Sequence, residues 1–383
     1  MMGNLKGAAA IVGAGTAGIG LAPGRSHLEL IAEASKQALE EAGLTMRDVD
    51  GLFTASLVNF FPTLTTAEYL GLKPAVTVGT NLGGASFEDY VIQAAMALQA
   101  GLCKVALICY GSNQRSASGR HTTMADMPKY EAAYKPRFPI AAYALSAARH
   151  MHEFGTTREQ LAEVALAARK WAQMNPEASE RGETTLEEVL SARMVCDPLS
   201  VRDCCLVTDG AGAIVMVAAE RARDMAKAPI YFLGGAAATW YRQISAAEDL
   251  TVTSAKESGE RAFAMAGLAP EDVDVVELYD AFTINTILFL EDLGFCNKGE
   301  GGAFVSGGGI APGGHLPVNT NGGGLSCCHP GMYGVFLLIE ATRQLRGEAG
   351  KRQVKGAEIA LCHGNGGTLS AEVSVLLGTE AAL

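Results

Sequence analysis

The sequence predicts an α/β fold built from two similar halves, with a helical insertion between them. Three observations lead there. The blocks EEAGLTMRDVDGLFT (40–54) and AMAGLAPEDVDVVEL (264–278) repeat one pattern, aligning Gly43 with Gly267 and Asp50 with Asp274 without a gap. Two further pairs follow in the same order: TNLGGAS (80–86) with TNGGGLS (320–326), and VALICYGSN (105–113) with IALCHGNGG (359–367). Finally, the chain has 383 residues, of which 49% are hydrophobic and 19% charged, enough for a large core and more than one structural unit.

The elements follow in chain order. An apolar run at 8–12 reads as a strand, followed by Gly13-Ala14-Gly15-Thr16-Ala17-Gly18, a G-x-G-x-x-G pattern. In a dinucleotide site those glycines open a helix, and an acidic residue ends the next strand about 20 residues on. Here a Pro23-Gly24 turn intervenes, and the glycines read instead as a loop from the first strand to the first helix. That helix starts at a Ser26…Glu29 capping box, carries apolar residues at Leu28, Ile31, Ala34, Ala38, Leu39 and Ala42, and stops at Gly43. The strand GLFTA (51–55) comes next. The second half repeats the scheme with a Ser254…Glu257 box, Gly267 and the strand DVVELYD (274–280). The expected units are 1–112 plus 200–222, an insertion at 113–199 containing the helical TTREQLAEVALAARKWAQMNP, and 223–383. Long insertions of this kind commonly cover a site.

Several function classes are excluded at this level. A net charge of −11 disfavours a nucleic-acid surface. No apolar run approaches the roughly 20 residues of a membrane span. The nine cysteines lack the paired spacing of a zinc site, and Cys204-Cys205 and Cys327-Cys328 read as reduced thiols, so we expect no metal and a soluble, cytoplasmic protein. Glycines cluster between Gly299 and Gly324, interspersed with Phe304, Ile310 and Val318, as expected for tight turns beside a ligand.

NTNGGGLSCCHPGMYG (319–334) resembles the signature of the thiolases, with Asn319 and His329 at the family's spacing. ELYDAFT (277–283) is similar to the Asn-Glu-Ala-Phe block, written His-Asp-Cys-Phe in sterol-carrier-protein thiolases, and ALCHGNGG (360–367) to the closing Cys-x-Gly motif. The resemblance implies a five-layer αβαβα fold, usually dimeric, acting on acyl-CoA. It also exposes a departure. Thiolases take the acyl group onto a cysteine at the start of a first-half helix, and in the register set by Ser86 that position is Gly84. Ser86 is then either an activated nucleophile or a helix-capping serine. Tyr279 replaces the Asn or His of its block, and Tyr333 stands where small residues are usual.

Without the cysteine, a pocket with His329 aimed at the thioester oxygen still suits an enolate, and so a reversible aldol cleavage of a β-hydroxyacyl-CoA. Tyr279 and Tyr333 are the candidates for its proton transfers, in either order. Cys362 matches the acid/base cysteine of thiolases, with His363 beside it as an alternative. Gly84, Ser86, Asn319 and Gly366 are expected to contact substrate. The chain resembles most the cysteine-less thiolase-like aldolases of bacterial steroid side-chain degradation. That implies a homodimer joined by a small zinc-ribbon/OB-fold partner as a heterotetramer, with coenzyme A entering only as part of the substrate. A thiolase with an unusual nucleophile, or a non-catalytic acyl-CoA-binding subunit, are the competing readings.

Overall fold

A computed structural model describes residues 5–118 and 129–383, so residues 119–128 of the expected insertion lie outside the described residues. The first half supplies strands β1 (Ala9–Gly20), β2 (Gly51–Thr54), β3 (Val76–Val78) and β4 (Ala106–Ser112). The insertion holds a small hairpin of β5 (Met194–Cys196) and β6 (Leu199–Ser200), after which β7 (Asp209–Ala218) completes the half. The second half supplies β8 (Ile230–Thr239), β9 (Val275–Leu278), β10 (Ile359–Gly366) and β11 (Ala371–Gly378).

Among the described residues these strands hydrogen-bond in the order β3-β2-β4-β7-β1-β8-β11-β10-β9. The two halves meet where Ala10 and Ile11 pair with Tyr231 and Ile230. Directions repeat across that junction. In each half a parallel pair (β2–β4, β9–β10) continues into two antiparallel pairings (β4–β7–β1, β10–β11–β8). Val276 even forms an isolated parallel bridge with Val318, on the side where β2 carries β3.

Helices complete five layers. Helix His27–Glu41 covers one outer face and Ala255–Ala266 the other, while Ser86–Gln99 and Gly334–Leu345 lie between the halves and touch strands of both. The outer helices are amphipathic, as Leu30, Ile31, Ala34, Ala38 and Leu39 all turn inward. Each large aliphatic side chain buried this way contributes about 1.5–3 kcal/mol. The central helix Gly334–Leu345 is buried nearly all round because it faces protein on both sides.

The repeat is also visible in hydrogen bonds. Asp50 accepts from the Lys104 and Val105 amides, and Asp274 from those of Glu358 and Ile359. Gly43 and Gly267 follow their helices in the left-handed region, at φ +70° and +67°.

Two local expectations need correction. The glycine stretch is not a loop: β1 runs through it to Gly20. Its glycines admit the neighbouring helix, since a Cβ at Gly13 would lie 1.8 Å from the Ala38 carbonyl oxygen and one at Gly15 2.4 Å from that of Ala34. The expected Ser254…Glu257 capping box also does not form. Ser254 has helical backbone angles and an unpartnered hydroxyl, and Glu257 accepts from the Trp240 indole N–H instead. The Ser26…Glu29 box does form, in both directions.

Candidate active site

Two helix N-termini meet between the halves. A 3-10 turn at Gly83–Ala85 leads into helix Ser86–Gln99, and Gly334 opens the other central helix. A Cβ on Gly334 would come within 2.3 Å of the Gly84 carbonyl oxygen. The contact thus needs glycine. The partial positive ends of both helices therefore lie side by side, an environment that favours negative charge.

Gly84 is covered by Tyr279. A Cβ at Gly84 would lie 2.0 Å from Tyr279 Cε2 and 2.7 Å from its hydroxyl oxygen, so the ring occupies the space a side chain there would need. Tyr279 follows β9, where its amide donates to the His363 carbonyl at 2.9 Å. Its hydroxyl is 2.9 Å from His329 Nε2. Tyr333 packs edge-on against Tyr279, ring centroids 5.8 Å apart, and donates to Asn321 Oδ1 at 2.8 Å. Tyr279, Tyr333 and His329 therefore form one cluster over Gly84.

Burial sets its protonation. The His329 imidazole is pushed down to about 4 by loss of solvation, and the Tyr279 and Tyr333 phenols are pushed well above their ordinary value for the same reason. At neutral pH all three are uncharged, and the Tyr279–His329 contact is a neutral hydrogen bond. His329 was expected to face the thioester oxygen; in this structure its Nε2 is on Tyr279.

Other sequence candidates fall around this cluster. Asn319 (φ +52°) accepts from the Leu278 amide at 2.6 Å and so shapes the start of the tyrosine block. Ser86 caps its turn: its hydroxyl accepts from the Leu82 amide and donates to the Gly83 carbonyl, at 2.9 and 2.7 Å. Gly366 packs on the same turn, where a Cβ would meet the Leu82 carbonyl oxygen at 1.5 Å.

Cys362 and His363 take opposite faces of β10, as strand alternation requires. Cys362 is fully buried and its thiol contacts the Leu337 carbonyl at 3.6 Å. His363 is buried against Phe289 and pairs through Nδ1 with the Ser374 hydroxyl at 2.9 Å. Among the described residues no side-chain hydrogen bond joins either to Tyr279, Tyr333 or His329.

Two buried carboxyl groups adjoin the glycine turns. Asp280 accepts from the Gly324 and Leu325 amides, at 2.6 and 3.3 Å, and holds the second glycine turn under the cluster. Burial pushes its carboxyl up to about 7. Glu88 lies one turn below Gly84 with neither carboxylate oxygen partnered, in a slot that Gly334 and Gly364 leave open. Among the described residues no three His, Cys, Asp or Glu side chains converge as a metal site, and no helix is long and apolar enough to cross a membrane.

Comparison with known proteins identifies the family. Residues 236–379 match the family described as Thiolase C-terminal domain-like. The chain is 37% identical over 360 residues to an acetyl-CoA acetyltransferase of Methanothermobacter thermautotrophicus, covering 90% of this chain and 92% of that one. It is 35% identical over 371 residues to the 17-hydroxy-3-oxo-4-pregnene-20-carboxyl-CoA lyase of Mycobacterium tuberculosis, again covering 90% and 92%. The solved Ltp2-ChsH2(DUF35) aldolase superimposes with a TM-score of 0.90 at 32% identity, covering 100% of both chains. The chain belongs to the thiolase superfamily, on a branch that includes steroid side-chain-cleaving aldolases.

Proposed function

We propose that this chain is a thiolase-fold aldolase that cleaves the Cα–Cβ bond of a β-hydroxyacyl-CoA, such as a steroid side-chain thioester. The observation that carries the reading is the Tyr279 ring over Gly84: the position of the thiolase nucleophile has no side chain, and a phenol paired with a neutral imidazole fills the space. Acyl transfer needs a nucleophile. Retro-aldol cleavage needs a base, an acid and a site for enolate charge.

Tyr279 takes the β-hydroxyl proton as its own passes to His329 Nε2. The Cα–Cβ electron pair moves into the thioester enolate, and the β carbon leaves as a carbonyl compound. The enolate oxygen is stabilised at the two helix N-termini. Tyr333 protonates the α carbon, and after product release the proton held on His329 passes to the Tyr333 phenolate, which restores the neutral cluster. Coenzyme A takes part only as the substrate's thioester.

Two assembly features extend the proposal. The homodimer is supported by the outer edge of β3, unpaired among the described residues, and by the exposed apolar side chains Val58, Phe60, Phe61 and Leu64, of which Phe60 is 90% exposed. A small zinc-ribbon/OB-fold partner, forming a heterotetramer, is supported by the match to the Ltp2-ChsH2(DUF35) aldolase. Nine free thiols fit a cytoplasmic setting.

The decisive test combines steady-state cleavage of a β-hydroxyacyl-CoA, with and without the partner, and intact-mass analysis after incubation with acyl-CoA. We expect cleavage, no acyl adduct, and a loss on the order of 10²–10⁴-fold in Tyr279→Phe and Tyr333→Phe. A covalent adduct, or full activity in both variants and in His329→Ala, would overturn the proposal.

A further inference from the structure

A third tyrosine approaches the site from the insertion. Tyr143, on helix Ile140–Phe154, is 3% exposed, and its ring packs on Phe282 of the tyrosine block with centroids 4.4 Å apart. Asn365 Nδ2 donates to its phenolic oxygen at 2.9 Å. That bond fills an acceptor position of Tyr143 and leaves its O–H proton without an acceptor among the described residues.

The wall beside it also has unused bonding capacity. Asn365 Oδ1 is buried without a partner, as are both oxygens of Glu372, which faces Asn365 across the β10–β11 pair. His363 Nε2 lies 3.0 Å from Glu372 Oε2 but outside hydrogen-bond geometry. Buried polar groups are normally satisfied, so such a concentration of open donors and acceptors points to a polar ligand atom. The position adjoins the active site: the Tyr143 ring packs on Phe282, three residues after Tyr279, and Asn365 shares a face of β10 with His363, whose backbone carbonyl takes the Tyr279 amide.

We infer that Tyr143 and Asn365 form a subsite for the oxygen on the substrate's β carbon, the oxygen that leaves on the carbonyl fragment. The thioester end is served by the helix N-termini at Gly84 and Gly334. Tyr143 comes instead from the insertion, on the side of Phe282, where the departing fragment needs a partner. Its O–H donates equally well to an alcohol and to the carbonyl formed from it. Asn365 holds the phenol in place, and the β-hydroxyl proton remains free for Tyr279. This inference rests on the aldolase reading.

The test measures Kd for a β-hydroxyacyl-CoA and for the same acyl-CoA without the hydroxyl, together with cleavage kcat/KM, in wild type, Tyr143→Phe and Asn365→Ala. We expect tighter wild-type binding of the hydroxylated ligand. Both variants should lose that preference, and kcat/KM should fall on the order of 10- to 100-fold, with unchanged affinity for the deoxy ligand. Equal loss of both ligands, or no loss of either in a folded Tyr143→Phe protein, overturns the subsite. If the variants do not fold, a wild type that binds both ligands equally overturns it. A wild type that prefers the hydroxylated ligand but does not cleave it overturns the aldolase reading and leaves the subsite standing.

Discussion

The two halves build the same glycine turn and use it differently. In TNLGGAS, Asn81 Oδ1 accepts from the Gly83 amide at 2.9 Å; in TNGGGLS, Asn321 Oδ1 accepts from the Gly323 amide at 2.8 Å. Gly83 and Gly323 both have positive φ, +71° and +64°. After the first turn the chain enters helix Ser86–Gln99 directly, leaving Gly84 as a bare platform. After the second it makes one π turn at Gly323–Cys327 and then delays its helix to Gly334. The intervening residues carry His329 and Tyr333, and Asn321 gains a second task by accepting from Tyr333. One copy thus provides space and the other provides side chains. A duplicated fold becomes a site through that asymmetry.

Substitutions at matched positions test this contrast. The largest effect is expected at Gly84. Gly84→Ala puts a methyl group 2.0 Å from the Tyr279 ring and must displace it, which should reduce cleavage on the order of 100-fold or more in a steady-state assay. Its counterpart Gly324→Ala meets an Asp280 oxygen at 3.1 Å and should cost less activity; the reverse ranking would break the contrast.

Next come the two asparagines. Both variants lose a turn hydrogen bond, worth about 1 kcal/mol in thermal or denaturant unfolding. Only Asn321→Ala should also lower kcat, because only Asn321 orients a tyrosine. Equal kinetic loss in Asn81→Ala would show that the turn, and not the tyrosine contact, matters.

The smallest effect concerns pH and Glu88. Burial pushes its carboxyl up from 4.5 to about 8, so the folded chain keeps a proton that the unfolded chain releases across that interval. Stability therefore falls as pH rises through this window, and the raised Asp280 adds in the same direction up to about 7. Glu88→Gln should flatten the decline of Tm between about pH 5 and about pH 9. An unchanged slope would mean that Glu88 does not titrate there.

Much of the fold was legible because repetition and periodicity are properties of the chain alone. The repeated Gly43/Gly267 helix ends, the Asp50/Asp274 positions and the helical stripe from Leu28 to Ala42 need no tertiary information. The glycine stretch at 13–18 was misread as a loop, since glycine signals a turn in isolation but also permits a helix backbone to approach a strand. The Ser254…Glu257 pattern failed for a similar reason: Trp240, distant in sequence, competes for Glu257.

Tyr279 and Tyr333 stood out as departures within otherwise matching motifs. Asn321, Glu88 and Tyr143 did not, because nothing in a single sequence distinguishes a buried Asn, Glu or Tyr with a task from one without.

The sequence by itself determined the two-half α/β organisation, a glycine at position 84 where the resemblance leads one to expect a cysteine, His329 as the matching residue of its motif, and Tyr279 and Tyr333 as the departures. Only the tertiary structure decided that the Tyr279 ring fills the Gly84 space, that its hydroxyl pairs with His329, and that Cys362 and His363 face away from each other. The reason is physical. Patterns along the chain set which residues lie on one strand face or helix stripe, whereas contacts between segments depend on how the helices and sheets pack, and it is that packing which buries and neutralises the cluster.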